Sequence, residues 1–326
     1  MPQSVKTIRP EIRPLSVKTD LNSVADLIDL CFSKQMDQDG LEYLRYIRRV
    51  GGGSRTVRWA DGSHERVSIP LFGYVWIENE KIIGNISLSP FQLRKEWYYL
   101  IANVAVHPDH RRQGIARCLT QQAIAHVKKR KVDHLWLQVK DFNQPAIQLY
   151  DSLGFVHRDK RNTWRSVDYL YPPEVESRTD IKVVPRMRRD WNKQKQWLLE
   201  TYPEAVRWYF GFYNEDIAPG FMRSLENFLL YERVMHHFSV YFKHELIGVL
   251  THQPVNKKIH HLYLGVPNDV REDIALRSLL SFALRMYGDQ RVLRVNYPFG
   301  RGKKAFEDSN FNLQNTLIWM SLSGYN

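Results

Sequence analysis

The residues best suited to chemistry lie in one stretch of the first half, Asn103-Val-Ala-Val-His-Pro-Asp-His-Arg-Arg-Gln-Gly-Ile-Ala116. Its pattern predicts a strand, a polar turn and then a helix that Gly114 opens. The free N–H groups and the dipole of a helix N-terminus bind anions, and a residue without a Cβ lets a phosphate approach the backbone. Three arginines can add charge-assisted contacts: Arg111, Arg112 and Arg117. The stretch therefore predicts a pyrophosphate-binding loop, although it is neither a Walker loop nor a dinucleotide fingerprint.

These residues also have simpler interpretations. The loop could be an ordinary turn with solvated arginines, and Lys128–Lys131 could be a solvated cluster at a helix C-terminus, where the dipole favours positive charge. His107 and His110 have a metal-like spacing, but no further ligands follow, so we predict no metal site. Cys118 falls on the apolar stripe of its helix, and we expect it to pack rather than to react.

The first half has the elements that could position such a loop. Helical apolar spacing occurs at Ser23–Phe32, Gly40–Val50, Gly114–Arg130 and Gln144–Leu153. Strands are predicted at Leu71–Ile77, Lys81–Leu88, Trp97–Val106 and His134–Val139, with an extended segment from Phe155 to Leu170. A turn at Asp61-Gly62 predicts a hairpin between Arg55–Trp59 and His64–Ile69.

The second half repeats this order of elements. Strands are predicted at Ser239–Phe242, Leu246–His252, Ile259–Val266, Arg291–Asn296 and Thr316–Leu322, and helices at Ile274–Met286 and Lys303–Ser309. Matching residues recur at nearly constant offsets, such as Pro108 with Pro267 and Phe155 with Phe311. We infer a diverged duplication with domains at 1–170 and 181–326. The segment 171–180 between them has two prolines and little apolar content, which predicts a linker.

Three separated motifs of the first half resemble the GNAT (Gcn5-related) N-acetyltransferase family. They are Val104–Arg117, Leu135-Trp-Leu-Gln-Val139 and Asn143-Gln-Pro-Ala-Ile-Gln-Leu-Tyr-Asp-Ser-Leu-Gly-Phe155. Residues 97–160 are most similar to the branch that acetylates the N-terminal alanine of a ribosomal protein. The second half is similar only weakly, so the chain resembles a tandem member of the family. The resemblance implies two mixed α/β (α+β) domains with the acyl-CoA N-acyltransferase fold, each with helices on a twisted, largely antiparallel sheet.

The resemblance also implies acetyl-CoA as co-substrate, without a metal. Pantetheine would pair with the free edge of the strand that contains Val104, Ala105 and Val106. The pyrophosphate would lie on a loop formed by Arg111, Arg112, Gln113, Gly114, Ile115, Ala116 and Arg117. Asn143 matches the position that contacts the pantetheine side, and Tyr150 matches the tyrosine that protonates the leaving thiolate. A backbone N–H near Val104 would stabilise the tetrahedral oxyanion.

One position departs from the alanine-acetylating branch. That branch has a glutamate base where this chain has Gln138, and an amide cannot accept the proton. A water-mediated path, another carboxylate such as Glu96 or Asp141, or a different substrate is then required. We expect acetyl transfer by direct attack in a ternary complex, onto a primary amine of a peptide, protein or small molecule.

The second half departs further from the family pattern. The positions of Arg111 and Gly114 hold Val270 and Asp273. A carboxylate in a phosphate-binding loop would repel its ligand. We therefore expect a degenerate second domain that does not bind acetyl-CoA and instead shapes the substrate cleft or the domain interface.

Composition leaves two rival functions open. The chain has 326 residues, 43% of them hydrophobic, a net charge of +12 and two cysteines. No apolar run approaches the ~20 residues of a membrane span, and no secretory h-region is evident, so we expect a cytoplasmic protein. The charge suits anionic partners, so an RNA- or ribosome-binding protein is one alternative. A non-catalytic acetyl-CoA sensor or scaffold is the other.

Overall fold

The computed structural model describes residues 11–36, 38–52, 72–93, 95–167, 180–210, 217–219, 235–255, 258–289 and 291–323. The predicted hairpin at 55–69 and the predicted linker 171–180, apart from Asp180, lie outside these residues. The chain forms two compact units. The described residues of the first unit lie within Met1–Ala60, Arg66–His157 and Trp319–Asn326, and those of the second within Arg158–Ile318.

The first unit is a mixed sheet with helices on both faces. Its helices are α1 (Leu21–Phe32), α2 (Gln38–Gly51), α3 (Ile115–Lys129) and α4 (Gln144–Ser152). Its strands are β1 (Glu11–Pro14), β2 (Gly73–Glu78), β3 (Lys81–Leu93), β4 (Glu96–Val106) and β5 (His134–Lys140). Strands β1 to β4 are antiparallel neighbours, and β5 runs parallel to β4.

Alternation along β2 shows how the helices cover both faces of this sheet. Val75 and Ile77 pack against the apolar residues of α1 and α2. Tyr74 contacts His126 of α3, and Trp76 lies on the same face. Successive side chains of a strand point to opposite faces, so one strand supports two helical layers. The buried stripe of α3 consists of Ile115, Leu119, Thr120, Ala123 and Val127, which is helical spacing.

The second unit repeats the same element order. Its helices are α5 (Trp191–Thr201), α6 (Glu204–Phe210), α7 (Glu272–Tyr287) and α8 (Lys303–Asp308). Its strands are β7 (Ile181–Pro185), β8 (His236–Phe242), β9 (Glu245–Pro254), β10 (Ile259–Gly265) and β11 (Val292–Pro298). Strands β7 to β10 are antiparallel neighbours, and β11 is parallel to β10. The predicted mixed α/β architecture with a repeated unit is confirmed.

Two final strands change where the units divide. Strand β6 (Val156–Ser166) follows α4 in the chain, yet it pairs with β11, so the residues from Arg158 belong to the second unit. Strand β12 (Phe311–Leu322) begins in the second unit, but its residues from Trp319 belong to the first. These units therefore differ from the predicted domains 1–170 and 181–326. Hydrogen bonding between strands distant in sequence sets the division, and chain order does not reveal it.

The other predicted helices and strands that lie in the described residues are present, with shifted ends. The sequence analysis missed β1, β7, α5 and α6. Both missed strands are edge strands of only four and five residues, too short to show alternation. No helix in the described part of the chain is long and apolar enough to cross a membrane.

Candidate active site

A cleft opens in the first unit where β4 and β5 stop pairing. Their parallel ladder runs from the pair Tyr98 and His134 to the pair Ile101 and Leu137. Beyond that point β4 continues to Val106, so its residues 102–106 have a backbone edge that β5 does not occupy. The predicted pantetheine-binding residues Val104, Ala105 and Val106 all lie on this edge. An extended ligand could add to it as a further strand.

A β-bulge in β4 lies at the beginning of the cleft. Asn85 of β3 pairs with Ala105 and Ser87 pairs with Ala102, so two residues of β4 oppose one residue of β3. Asn103 in the bulge has φ +51°, a left-handed conformation that Asn tolerates better than most residues. Bulges are frequent next to active sites, where they re-aim a side chain or end the strand pairing.

The loop between β4 and α3 has the geometry of an anion site. A short 3-10 turn spans Pro108–His110, after which Arg112 has φ +62° and Gly114 has φ +83°. Gly114 caps α3, and no acidic residue lies in the first turn of that helix. A Cβ built on Gly114 would meet nothing within 4 Å. The helix N-terminus is thus open to a ligand, and its free N–H groups favour an anion such as a pyrophosphate.

The three arginines of this loop differ in their contacts. Arg111 donates from Nε to the Val106 carbonyl (3.3 Å) and lies beside the Cys31 thiol. Arg117 donates to Ser152 Oγ of α4 (2.7 Å), so in this structure it ties two helices together. Arg112 and Gln113 are exposed. The predicted phosphate-binding residues are therefore gathered at one helix end.

The histidines of the same loop have other partners. His107 Nδ1 accepts from the Asp109 N–H (3.4 Å). His110 Nδ1 lies 3.2 Å from Glu78 Oε2. Within the described residues, no group of three or more His, Cys, Asp or Glu side chains could hold a metal ion. Cys118 is partly buried in α3. The histidines thus contact the turn and Glu78 in this structure.

Helix α4 contributes the two remaining predicted site residues. Asn143 is its N-cap, and its Oδ1 accepts from the Ala146 N–H (3.4 Å), which leaves the Nδ2 group outside the cap. Tyr150 is buried, with its ring edge-on to Phe155 at 5.8 Å. Burial raises the pKa of Tyr150 above the usual range of tyrosine. The phenol therefore stays protonated at neutral pH, as a proton donor must.

The residue types near the cleft constrain the choice of base. Gln138 is the first residue of β5 beyond the ladder, and its buried Nε2 has no hydrogen-bond partner in the described residues. Glu96 begins β4, eight residues before Val104, and binds Tyr98 (2.9 Å) and His134 (3.4 Å). At about 3.3 Å per residue, Glu96 is roughly 26 Å along the strand from Val104. At that distance Glu96 cannot contact an amine that attacks at Val104.

The corresponding loop of the second unit is filled by its own side chains. Glu272 and Asp273 lie in the first turn of α7. Glu272 is bound by Tyr297 (2.7 Å) and Arg301, and Asp273 by Arg277. Two acidic residues lie at the positive end of this helix, so a phosphate would meet their negative charge there.

The cleft between β10 and β11 is also occupied. Their ladder ends at the pair Leu262 and Val295, which matches the end of the β4–β5 ladder. Beyond it, the fully buried Arg161 donates to Asn296 Oδ1 and lies 5.0 Å over the ring of Tyr202. The Tyr202 hydroxyl accepts from the Leu264 N–H (3.4 Å). The backbone edge of β10 is thus partly satisfied from within the unit.

Comparison with known proteins gives a family match in the first half. Residues 44–155 match the family model described as "Acetyltransferase (GNAT) family". The alanine N-acetyltransferase of ribosomal protein bS18 from Escherichia coli (strain K12) is 45% identical over 67 residues, which are 20% of this chain and 45% of that protein. The streptothricin acetyltransferase of Streptomyces lavendulae is 42% identical over 55 residues, 17% of this chain and 29% of that protein. The chain thus spans less than half the length of these relatives.

Solved structures extend the likeness in fold to the whole chain. A GCN5-related N-acetyltransferase from Sphaerobacter thermophilus has a TM-score of 0.55 and 14% identity, and the match covers 96% of this chain and 95% of that one. At this identity the match shows the fold alone. The repeated element order and this match give the chain a tandem GNAT fold. Within it, residues 44–155 form an acetyltransferase domain that belongs to the GNAT family.

Proposed function

We propose that the first unit transfers the acetyl group of acetyl-CoA to a primary amine of a peptide, protein or small molecule. The observation that carries the proposal is the open end of α3 beside the unpaired edge of β4. A phosphate site at one end of a strand-like groove matches the two parts of CoA, its pyrophosphate and its pantetheine. The second unit, whose helix end holds two carboxylates, takes no acetyl-CoA.

The residues of the first unit divide the chemistry among them. The α3 N-terminus, with Arg111 and Arg112, binds the pyrophosphate, and the β4 edge orients the pantetheine. The amine attacks the thioester carbonyl directly, and a backbone N–H of the β4 bulge stabilises the developing oxyanion. Tyr150 donates its proton to the departing thiolate. With Gln138 unable to accept a proton, the base is a carboxylate or a water chain elsewhere in the cleft.

The names of two relatives bear on the class of acceptor. One relative is named for acetylation of an alanine of a ribosomal protein and another for acetylation of streptothricin. We place the protein with such amine acceptors and in the cytoplasm. Because Gln138 stands where the alanine-acetylating branch has its glutamate base, we propose a primary amine acceptor without restricting it to the alanine of a ribosomal protein.

A turnover screen tests this proposal. Acetyl-CoA is mixed with the protein and with panels of peptides, aminoglycosides, polyamines and amino metabolites, and free CoA thiol is measured. We expect thiol release that depends on one class of amine, with an N-acetyl product of equal amount by mass spectrometry. Binding of acetyl-CoA without acetyl transfer to any acceptor would favour the sensor instead.

A further inference from the structure

We propose that Asn85 is a positioning residue for acetyl transfer, which holds the β4 bulge so that the Val104 N–H faces the acetyl carbonyl. The inference deepens the proposed function and rests on it. Asn85 lies on β3, outside the three family motifs, and no predicted site residue directed attention to it. Its role would be to set the direction of one peptide group in the neighbouring strand.

One hydrogen bond sets that direction. Asn85 Nδ2 donates to the Asn103 carbonyl over 3.0 Å, so this carbonyl points toward the side chain of Asn85. The peptide between Asn103 and Val104 is planar, and the N–H of a trans peptide points opposite to its C=O. The Val104 N–H therefore points away from the Asn85 side chain, and it lies on the part of β4 with which β5 no longer pairs. A thioester carbonyl in the cleft would find its donor there.

The side chain of Asn85 has an environment that stability alone does not explain. Asn85 is fully buried, and its Oδ1 has no hydrogen-bond partner in the described residues. A buried acceptor without a partner is unfavourable for folding, and such groups in native proteins need a reason. Its Nδ2 bonds to Asn103 and, more weakly, to Ser87 Oγ (3.3 Å). We therefore assign the contribution of Asn85 to the hydrogen bond from its amide to the Asn103 carbonyl.

The other side of the bulge is held from α2. The Asn103 side chain donates from Nδ2 to the Tyr43 hydroxyl. Burial raises the pKa of Tyr43, so this hydroxyl stays neutral and can accept. Asn103 is thus fixed through its carbonyl by Asn85 and through its side chain by Tyr43. Two fixed points in one residue stabilise a positive φ that a regular strand would not adopt.

The second unit provides a natural contrast. There, β9 and β10 pair without interruption from the pair Pro254 and His260 to the pair Val249 and Gly265. No residue of β10 has a positive φ. Without a bulge, no peptide of β10 is turned as the Asn103–Val104 peptide is. Within the described residues, the bulge and its Asn85 donor belong to the unit with the open phosphate loop.

Isotope-edited infrared spectroscopy of bound acetyl-CoA tests the proposal on the full-length protein. The acetyl carbonyl carries ¹³C, and its stretch is measured in the binary complex. A backbone donor polarises the carbonyl, so the wild-type complex should show a lower frequency than free acetyl-CoA. In Asn85→Ala this shift should disappear, and kcat should fall by about 30-fold with the KM for acetyl-CoA within a factor of about three.

Two controls keep the result interpretable. Ser87→Ala removes the weaker acceptor of the Asn85 amide and should retain the carbonyl shift. If Asn85→Ala does not fold, the pair Asn103→Gly and Asn103→Ala replaces it, because only glycine adopts the positive φ without strain. The glycine variant should keep more of the shift than the alanine variant. A full carbonyl shift and an unchanged kcat in Asn85→Ala would overturn the proposal. Equal carbonyl shifts in Asn103→Gly and Asn103→Ala would overturn it as well. A wild-type protein that binds no acetyl-CoA would instead refute the proposed function.

Discussion

The two units of the chain have the same element order but different clefts. In the first, Gly114 opens α3, the first turn has no acidic residue, and β4 carries a bulge. In the second, α7 begins with Glu272 and Asp273, and β10 pairs regularly. The fold alone therefore does not make a CoA site. Under the proposed function, a few residues at one helix end and one strand decide which copy binds an anion.

The position of Tyr150 shows the same contrast. Its sequence counterpart is Phe306, which is fully buried and stacked on Trp164 at 4.8 Å. A phenylalanine in that position fills the core of the unit but has no proton to donate. The second unit has kept the packing role of this helix position without its chemical group.

Adding a carboxylate to the first phosphate loop should have the largest effect. Gly114→Glu combines the strain of a positive φ with charge repulsion, and we expect the Kd for acetyl-CoA to rise by about 10³-fold. Calorimetry measures it, and circular dichroism checks folding. Gly300→Glu is the matched control, because Gly300 of the second unit has φ +82° and equally open surroundings. Equal loss of binding in both variants would remove the distinction between the units.

Removing the proposed acid should have the next largest effect. Tyr150→Phe should lower kcat by about 100-fold and leave the Kd for acetyl-CoA almost unchanged, because the ring still packs on Phe155. Steady-state turnover with the best acceptor measures this. Tyr202→Phe removes a hydroxyl from the cleft of the second unit and should leave kcat unaltered. A wild-type kcat in Tyr150→Phe would show that the thiolate leaves without this proton.

Buried histidines predict a smaller, pH-dependent effect in the second unit. Burial, with the neighbouring His260, His236 and Arg291, lowers the pKa of His252 to about 3, and burial with Arg186 and His236 lowers the pKa of His237 to about 3. A histidine with a lowered folded-state pKa stabilises the fold above its unfolded pKa of about 6.5, and this stability is lost as the pH falls toward 3. The hydrogen-exchange protection factors of β8 and β9, which are corrected for the intrinsic pH dependence of exchange, should fall across that window.

A substitution makes this pH effect specific. His252→Gln removes one titrating group, so the loss of protection between pH 6.5 and 4 should become shallower. His244→Gln, in the exposed turn between β8 and β9, should leave the pH dependence as in the wild type. If both variants match the wild type, the buried histidines do not control acid stability.

Local patterns predicted the parts of the site that are continuous in sequence. The apolar spacing and Gly114 lie within a few residues of each other, so the sequence from Asn103 to Arg117 predicts a strand, a turn and a helix. The structure adds Asn85 and Tyr43, whose partner Asn103 lies 18 and 60 residues away. Their contact depends on the register of β3 and on the packing of α2, which no local pattern encodes.

The same limit explains the division of the units. Strand β6 was expected to be extended, and it is, but its partner β11 begins 126 residues beyond Ser166. An alternating strand pattern identifies a strand without identifying its neighbour. The sequence could therefore predict the repeat and the strand itself, while the pairing required the structure.

Hydrogen exchange with and without acetyl-CoA tests the central claim most directly, because it shows which unit the ligand contacts. The account predicts slower exchange in peptides that cover Val104–Arg117, and no change in peptides that cover Gly265–Asp273. Protection of the second region, alone or together with the first, would contradict the assignment of acetyl-CoA to the first unit.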